Sequence, residues 1–271
     1  MFDDKISLED YHDLPAMSAH NFMDASANCV IAEYNKRLKV NKLATKAMIN
    51  GTLIHTATET QDIAKYYAVE PTDINKRTNA GKQQLAEFYD SIGDKIPITQ
   101  DQWDMAEGCM EAAWSHPDAK ILLHCAKFER SGFTTLQGID VKARPDLDCT
   151  KEIGVLADIK SRQFGKADAE SWLMDFWKYK TYIQAGLQML VWEANKIKVK
   201  DYYYILIETA APYEVNVVFL DEELIEASKD LTLRAIDKWK LWLKEKSPAG
   251  YGKPQALSLK SWMQNQILYL L

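Results

Sequence analysis

Two carboxylates and a lysine interrupt the apolar stretch GIDVKARPDLDCTKEIGVLADIKS, which runs from residue 138 to residue 161. The stretch has the composition of two strands, and DCTKE is a plausible hairpin turn between them. Folding this hairpin brings Asp146 close to Asp158 and Lys160 on one polar face. Two carboxylates so close repel each other unless a cation lies between them, and oxygen ligands suit Mg²⁺ or Mn²⁺. Because a lysine beside such a metal can orient or activate a water, the three residues indicate metal-assisted phosphodiester hydrolysis.

The other face of the same hairpin is predicted to be apolar. By the two-residue period of a strand, Ile139, Val141, Ala143 and Leu147 point one way, and the charged residues between them point the other. Alternating charges on a hairpin are also typical of a solvated face, and the acid–acid–lysine pattern is short. The motifs elsewhere in the chain therefore decide between a catalytic face and a solvated one.

Composition limits the class of protein that carries this hairpin. The chain has 271 residues, 47% of them hydrophobic, which is enough for a sizeable core. Its four cysteines form no CxxC pair, and neither a signal peptide nor an apolar run of eighteen is present. We therefore expect a cytoplasmic protein with reduced thiols, away from the membrane. The formal net charge of −6 means that a nucleic-acid surface must be local. One candidate is the basic run Lys36, Arg37, Lys39, Lys42 and Lys46.

Hydrophobic periodicity predicts an α+β chain. The start, YHDLPAMSAHNFMD, is expected to be extended, and strands are expected in the hairpin, ILLHCAKFER, DYYYILIE and YEVNVVFL. Helices are expected at about 19–38, 41–59, 75–90, 99–114, 167–178, 180–196 and 221–246. No linker is rich enough in Pro, Gly or Ser to separate two domains. We expect a single domain over 1–271, with a core at about 11–220 and a C-terminal helix and tail at 221–271.

Three residues outside the acid pair are further candidates. His55 lies on a helical stripe with Gly51, where a histidine is either a hydrogen-bonded core residue or a ligand. Ser18 precedes a helical pattern, so it is first an N-cap and second a contact for an anion. Arg144 shares the predicted face of Asp146, and its guanidinium suits phosphate oxygens. It can equally pair with a neighbouring carboxylate and be structural.

The order of the motifs resembles a known family. RPD…DIK resembles the PD-(D/E)xK nuclease core with Asp as the second acid. With YHDLPAMSAHNF, GTLIHT, VKARPD and YIQAGLQ, the chain from about residue 11 to residue 192 resembles the RecE-type exonucleases (exonuclease eight), relatives of lambda exonuclease. The resemblance implies a restriction-endonuclease-like core, with a central mixed β-sheet flanked by helices and added N-terminal helices.

The same resemblance implies roles for single residues. His55 becomes the third metal ligand through a neutral imidazole, beside Asp146, Asp158 and the backbone carbonyl of Ile159, while Lys160 assists the attacking water.

Four residues are implied to contact DNA or its phosphates, namely Ser18, Arg144, Gln184 and Gln188. The chain departs from the family at Gln188, which stands where the family carries tyrosine. The alternative for the two glutamines is a pair of polar residues on a half-exposed helix.

The resemblance implies a Mg²⁺- or Mn²⁺-dependent deoxyribonuclease that digests one strand of duplex DNA from a 5′ end. Its 3′ overhangs would serve recombination through a single-strand annealing protein. Family members form rings, and WKLWL at 239–243 is either an exposed patch for such a homo-oligomer or a buried stripe. The alternatives are a CRISPR-adaptation-like or repair nuclease of other polarity, and an inactive DNA-binding or structural member of the fold. The chain carries no P-loop, GxGxxG or GxSxG, which disfavours nucleotide-driven and serine-hydrolase chemistry.

Overall fold

The computed structural model of the protein describes residues 1–26 and 45–245. Its strands are β1 (Phe2–Asp3), β2 (Tyr67–Val69), β3 (Ile96–Ile98), β4 (Lys127–Phe128), β5 (Ser131–Leu136), β6 (Ile139–Ala143), β7 (Leu147–Cys149), β8 (Val155–Arg162), β9 (Asp201–Glu208) and β10 (Val215–Phe219). Its helices are α1 (Leu8–Asp13), α2 (Ala19–Ala25), α3 (Lys46–Thr60), α4 (Asn79–Ile92), α5 (Gln100–Ser115), α6 (Pro117–Cys125), α7 (Ala169–Lys178), α8 (Thr181–Ala194) and α9 (Glu222–Glu245).

Five strands form the main sheet, in the spatial order β10-β9-β8-β7-β4. The central strand β8 runs parallel to β9 and antiparallel to β7, and both outer pairs are antiparallel. The chain passes from β8 to β9 through α7 and α8, which is the kind of crossover that parallel strands need. The predicted α+β fold with a mixed central sheet flanked by helices is therefore confirmed.

Two apolar cores cover the two faces of the main sheet. Leu156 on β8 packs in the core that includes α2, α7, α8 and α9. Its neighbour Ala157 packs in the core that includes α3, α5 and α6. Successive strand residues point to opposite faces, so a strand buried on both faces reads as a continuous apolar run. The position of Asp158 on β8 is thus fixed by neighbours that are buried on both faces of the sheet.

The stretch from residue 138 to residue 161 forms three strands instead of the predicted two. β6 belongs to a separate three-stranded sheet in the order β1-β5-β6, whereas β7 and β8 lie in the main sheet. The break between β6 and β7 contains Pro145, which has no N–H to donate to a ladder. Val141 and Ala143 pack in the α8 core, and Leu147 packs in the opposite core. The prediction that these three residues share one face is wrong.

Two other local predictions are wrong. ILLHCAKFER was expected to be a strand, but α6 continues to Cys125 and only Lys127–Phe128 is extended. Pro117 at the first helical position and His116, whose Nδ1 accepts the Ala119 N–H at 3.3 Å, start that helix. The extended start also contains a helix, α1, whose N-cap is Ser7.

The strand DYYYILIE and the long last helix lie where the periodicity places them, at Asp201–Glu208 and Glu222–Glu245. Residues 27–38 of the first predicted helix and the tail from residue 246 lie outside the described residues, as do Cys29 and all of the basic run except Lys46. In the segment WKLWL, Trp239 is buried whereas Leu241 and Leu243 are exposed. Among residues 1–26 and 45–245, no helix is long and apolar enough to cross a membrane.

Candidate metal and DNA site

The two predicted acids meet at the start of β7. Leu147 pairs with Ala157 across β7 and β8, which places Asp146 opposite Asp158. The Asp146 N–H donates to Oδ1 of Asp158 at 3.1 Å, and the Ile159 N–H donates to Oδ2 of Asp146 at 2.7 Å. The Asp158 carboxylate therefore accepts from the backbone of Asp146, and the Asp146 carboxylate accepts from the residue that follows Asp158. This reciprocal pair fixes both acids relative to the sheet.

His55 on α3 and a residue that the sequence analysis missed, Glu129, complete a cluster around Asp146. One ligand atom from each of these three residues lies within 4.8 Å of the other two. Nδ1 of His55 is 3.5 Å from Oδ2 of Asp146. Glu129 occupies the tight turn between β4 and β5 with a left-handed φ of 51°. It lies in ILLHCAKFER, which the sequence analysis used only as a predicted strand and not as a source of site residues, so only the fold reveals its position.

The electrostatics of this cluster are those of crowded carboxylates. Burial raises the pKa of Glu129 to about 7, and the neighbouring Asp146 adds to the rise. Burial also raises the pKa of Asp158. Burial alone would raise the pKa of Asp146, but His55 and Lys160 outweigh it and lower that pKa. Asp146 in turn raises the pKa of His55 against the effect of burial. Such a site holds excess negative charge that a cation would neutralise.

Lys160 faces the second acid from the same strand. Its Nζ lies 3.3 Å from Oδ2 of Asp158, and 23% of the lysine side chain is exposed whereas that of Asp158 is fully buried. Burial would lower the pKa of Lys160, but Asp158 and Asp146 raise it. The ammonium group is therefore positioned as a cation that can donate to a water or to a phosphate oxygen.

Tyr202 and Gln188 hold Asp158 from the interior. The Tyr202 hydroxyl lies between two acceptors, Oδ2 of Asp158 at 2.8 Å and Oε1 of Gln188, and shares its single proton between them. Nε2 of Gln188 donates to Oδ1 of Asp158 at 3.4 Å and to the carbonyl of Arg144 at 3.2 Å. Gln188 is only 2% exposed, so its amide bonds protein groups where the sequence analysis expected a DNA contact. Tyr202 was missed, because a tyrosine in an apolar strand gives no sign of a polar partner.

The motifs VKARPD and YHDLP lie against each other. Nζ of the buried Lys142 donates to the carbonyls of Tyr11, His12 and Leu14 at 2.6, 3.1 and 2.8 Å. Arg144 donates to the carbonyls of Ile6 and Glu129 at 2.6 and 2.9 Å. Only 9% of the arginine side chain is exposed.

The structural alternative for Arg144 thus has direct support, since the guanidinium holds backbone carbonyls and lies 3.5 Å from the Glu129 carboxylate. Its stacking on the ring of Tyr11, at 4.8 Å from the ring centroid, adds to this anchoring.

A cleft of about 600 Å³ brings the remaining candidates together. Its lining includes Ser18, Arg144, Asp146, Gln184 and Gln188. Ser18 caps α2, and both its N–H and its hydroxyl donate to the side-chain oxygen of Asn21. Gln184 lies one helical turn before Gln188 on α8. Asp146 of the predicted metal site and all four predicted phosphate contacts therefore border one cavity.

Comparison with solved structures gives the same fold. A crystal structure of a protein from Eubacterium rectale called a "putative exonuclease" has a TM-score of 0.63 and 12% identity, over 96% of this chain and 93% of that one. A phage related exonuclease from Haemophilus somnus matches 72% of this chain and 95% of its own, with 12% identity and a TM-score of 0.33 that is too low to add to the argument. At such identities the first match shows the fold alone.

No curated protein matches the chain. A family model does match: the PDDEXK-like domain of unknown function (DUF3799) covers residues 16–259, which is most of the chain and includes His55, Asp146, Asp158 and Lys160. The sheet and its crossover helices agree with that match. The chain belongs to this PDDEXK-like family.

Proposed function

We propose that the protein is a divalent-metal-dependent DNA nuclease that uses Asp146, Asp158 and Lys160. The observation that carries this proposal is the convergence of His55, Glu129 and Asp146 within 4.8 Å, with Lys160 and Asp158 directly beside them. A purely solvated hairpin would leave its charges in water. Here Asp158 is fully buried and Asp146 is 14% exposed, and burying two carboxylates is costly without a compensating cation.

The donor set fits Mg²⁺ or Mn²⁺. Carboxylate oxygens are the ligands that these ions prefer, and an imidazole is more usual for a transition metal. His55, Glu129 and Asp146 would hold the ion, with Asp158 and the Ile159 carbonyl as the further ligands that the sequence analysis proposes. The N–H and C=O of a strand residue point to the same side. Because the Ile159 N–H donates to Asp146, its carbonyl faces the same side.

The bound ion would supply Lewis-acid stabilisation of the charge that develops on the phosphate. The residues of the chain do the rest. Lys160 donates a hydrogen bond to the attacking water or to a phosphate oxygen. It thereby orients the water relative to the phosphate. Tyr202 and Gln188 are positioning residues, because they hold the Asp158 carboxylate and do not reach the cleft as free donors.

The finer assignment is a RecE-type exonuclease that digests one strand of duplex DNA 5′→3′ and leaves 3′ overhangs. Ser18 and Gln184 would contact the terminal or scissile phosphate from the walls of the cleft. Arg144 would act mainly by holding the segment before α2 in place. A single-strand annealing protein and a ring-shaped homo-oligomer complete the proposal, and both rest on the family resemblance.

The test is cleavage of duplex DNA labelled at the 5′ or the 3′ end, with Mn²⁺, with Mg²⁺ and with excess EDTA. We expect cleavage only with metal and earlier loss of the 5′-terminal nucleotides. Lys160→Ala should lower the rate roughly 10²-fold or more and retain DNA binding in Ca²⁺. Lys127→Ala, at an exposed lysine of β4, is the matched control.

Each part of the proposal can fail separately. Cleavage in EDTA would refute the metal site, and earlier loss of the 3′ label would replace the polarity with that of a repair-type nuclease. No cleavage with any divalent ion, with DNA binding retained, would identify an inactive member of the fold.

A further inference from the structure

The loop after β8 and the helix α7 carry an unusual share of exposed aromatic and apolar side chains. Phe164, Trp177 and Tyr179 are 65%, 44% and 59% exposed, and the apolar Leu173 and Met174 between them are also exposed. Trp177 is the one exposed tryptophan in the part of the chain that the structure describes. Large apolar groups grouped on a surface in this way mark an interaction site.

Two of these side chains, those of Met174 and Tyr179, line a second cleft of about 670 Å³ between the end of β8, α7 and the start of α3. Met174, Lys178 and Tyr179 line one wall, and Lys166 lies in the loop opposite. Lys166 and Lys178 are both exposed, and Nζ of Lys178 lies 4.8 Å from the centroid of the Tyr179 ring. An exposed aromatic ring beside two lysines has the chemistry that binds a base and its flanking phosphates.

The acidic groups of this cleft do not cancel the lysines. Asp175 lines the cleft and is paired with Arg162 at 2.9 Å. Asp168, the N-cap of α7, lies outside the lining, although its charge reaches Lys166. Arg162 is itself 9% exposed, so it forms the wall instead of offering a free cation. The lining therefore carries three cations, Arg162, Lys166 and Lys178, against one acid, Asp175, so its net charge is positive.

The cleft lies next to the candidate metal site along β8, because Lys160 directly precedes Ser161 and Arg162, which line the cleft. Arg162 lies two residues after Lys160, so the two side chains share a face of that strand. Ser161, between them, also lines the second cleft. Residues 160–162 of β8 therefore link the two sites, which favours one bound polymer that contacts both.

We propose that the cleft between β8 and α7 binds single-stranded DNA, with Tyr179 stacked on a base and Lys166 and Lys178 facing its phosphates. The choice of DNA as the polymer rests on the proposed nuclease function. Stacking is tolerant of sequence because every base has a π-face, so the cleft binds single strands of any sequence. It would hold the unpaired strand beside the metal site, either as it enters or as it leaves.

The test measures binding of a short fluorescein-labelled oligo(dT) by anisotropy in EDTA, where no cleavage can occur. Tyr179→Ala should weaken binding about tenfold, the usual loss for one stacked base, and Tyr179→Phe should keep the affinity because the ring remains. Lys178→Gln should weaken binding and lower the slope of log affinity against log salt by about 0.7. Phe219→Ala removes a ring that is 62% exposed on β10 and should leave binding unchanged.

Three outcomes would overturn the proposal. The first is a Tyr179→Ala variant that melts normally and binds the oligonucleotide as tightly as wild type. The second is a Tyr179→Phe variant that loses as much affinity as Tyr179→Ala. Light scattering of the same samples covers the third outcome, in which Tyr179→Ala lowers the molar mass and the surface is a contact between copies of the chain. The assay runs without metal, so an inactive protein that still binds through Tyr179 would refute the nuclease proposal alone.

Discussion

The centre of the main sheet and the N-terminal segment reach the same cleft by different kinds of interaction. On β8, the apolar neighbours of Asp158 are buried in the cores on both faces of the sheet. The position of the acid is therefore fixed by the burial of its own strand. Residues 6–14 are held largely through their backbone carbonyls, by the charged side chains of Lys142 and Arg144. Burial thus fixes the position of the acids, and directed hydrogen bonds fix the position of residues 6–14.

The strongest way to test the first half of this comparison is Asp158→Asn. The amide keeps the size of the carboxylate but brings an N–H₂ group into a site that presents Lys160 and Tyr202 as donors. We expect cleavage to fall by roughly 10²–10³-fold or more. The protein should remain folded with a lower melting temperature, because the amide leaves a buried donor facing a donor. Asp140→Asn, at an exposed acid on β6, is the control. Substantial remaining activity would show that Asp158 is dispensable for the chemistry.

Lys142→Met tests the second half. The substitution keeps the length of a buried side chain but removes the donor to three carbonyls, which should cost about 3 kcal/mol of unfolding free energy. Denaturant titration measures that loss, and limited proteolysis should cut residues 6–14 earlier. Lys127→Met, at an exposed lysine paired with Asp4, should change stability by less than about 1 kcal/mol. Equal losses in the two variants would contradict the anchoring role.

Tyr202→Phe tests both kinds of interaction at once, because it removes a directed hydrogen bond to Asp158 within the buried centre of the main sheet. The hydroxyl is buried and donates to Asp158, so its loss should cost about 1–2 kcal/mol of stability. If Tyr202 positions the acid, the metal concentration for half-maximal activity should also rise. Trp172→Phe, at a buried residue whose indole N–H has no partner among the described residues, should leave that metal concentration unchanged. An unshifted metal requirement in Tyr202→Phe would assign the hydroxyl to folding alone.

The smallest expected effect is the pH dependence of the metal-free protein. In the folded protein the pKa of Glu129 is raised to about 7 and that of Asp158 is also raised. The native state therefore binds more protons than the unfolded state between about pH 4.5 and pH 7, and stability falls as pH rises through that range.

The raised pKa of His55 acts in the same direction near neutral pH. We expect the melting temperature in EDTA to fall by roughly 2–5 °C from pH 5.5 to pH 7.5. The gain in melting temperature on adding Mn²⁺ should grow over the same range, because the metal competes with protons. A metal effect that is independent of pH would mean that these groups do not bind the ion.

Sequence reasoning located the parts of the site that lie in one continuous pattern. Asp146, Asp158 and Lys160 lie in one short stretch, so spacing alone predicts that they meet. The helical stripe of His55 left two interpretations open, and its place beside the acids was predicted from the family resemblance. Glu129 could not be found in this way, because a turn residue carries no period and only the tertiary fold brings it to Asp146. The error at Leu147 has a physical cause too. Parity holds within a strand, and Pro145 ends one strand and lets the next join a different sheet.

The predictions for Arg144 and Gln188 show a second limit. Residue type indicates what a side chain can bind, but the nearest partner decides what it does bind. In both cases a protein carbonyl lies within reach, at Ile6 and Glu129 for the arginine and at Arg144 for the glutamine. Such partners are distant along the chain, so no local pattern announces them.

The reciprocal hydrogen bonds between the two acids also make the site a check on strand alignment during folding. Asp146 and Asp158 satisfy each other's backbone only when Leu147 pairs with Ala157. A slip of β7 by one residue would exchange the faces of its side chains and leave buried carboxylates without donors. Misaligned β7–β8 pairings are therefore unfavourable at the place where the chemistry is proposed to occur. The correct strand register and the assembled pair of acids form together.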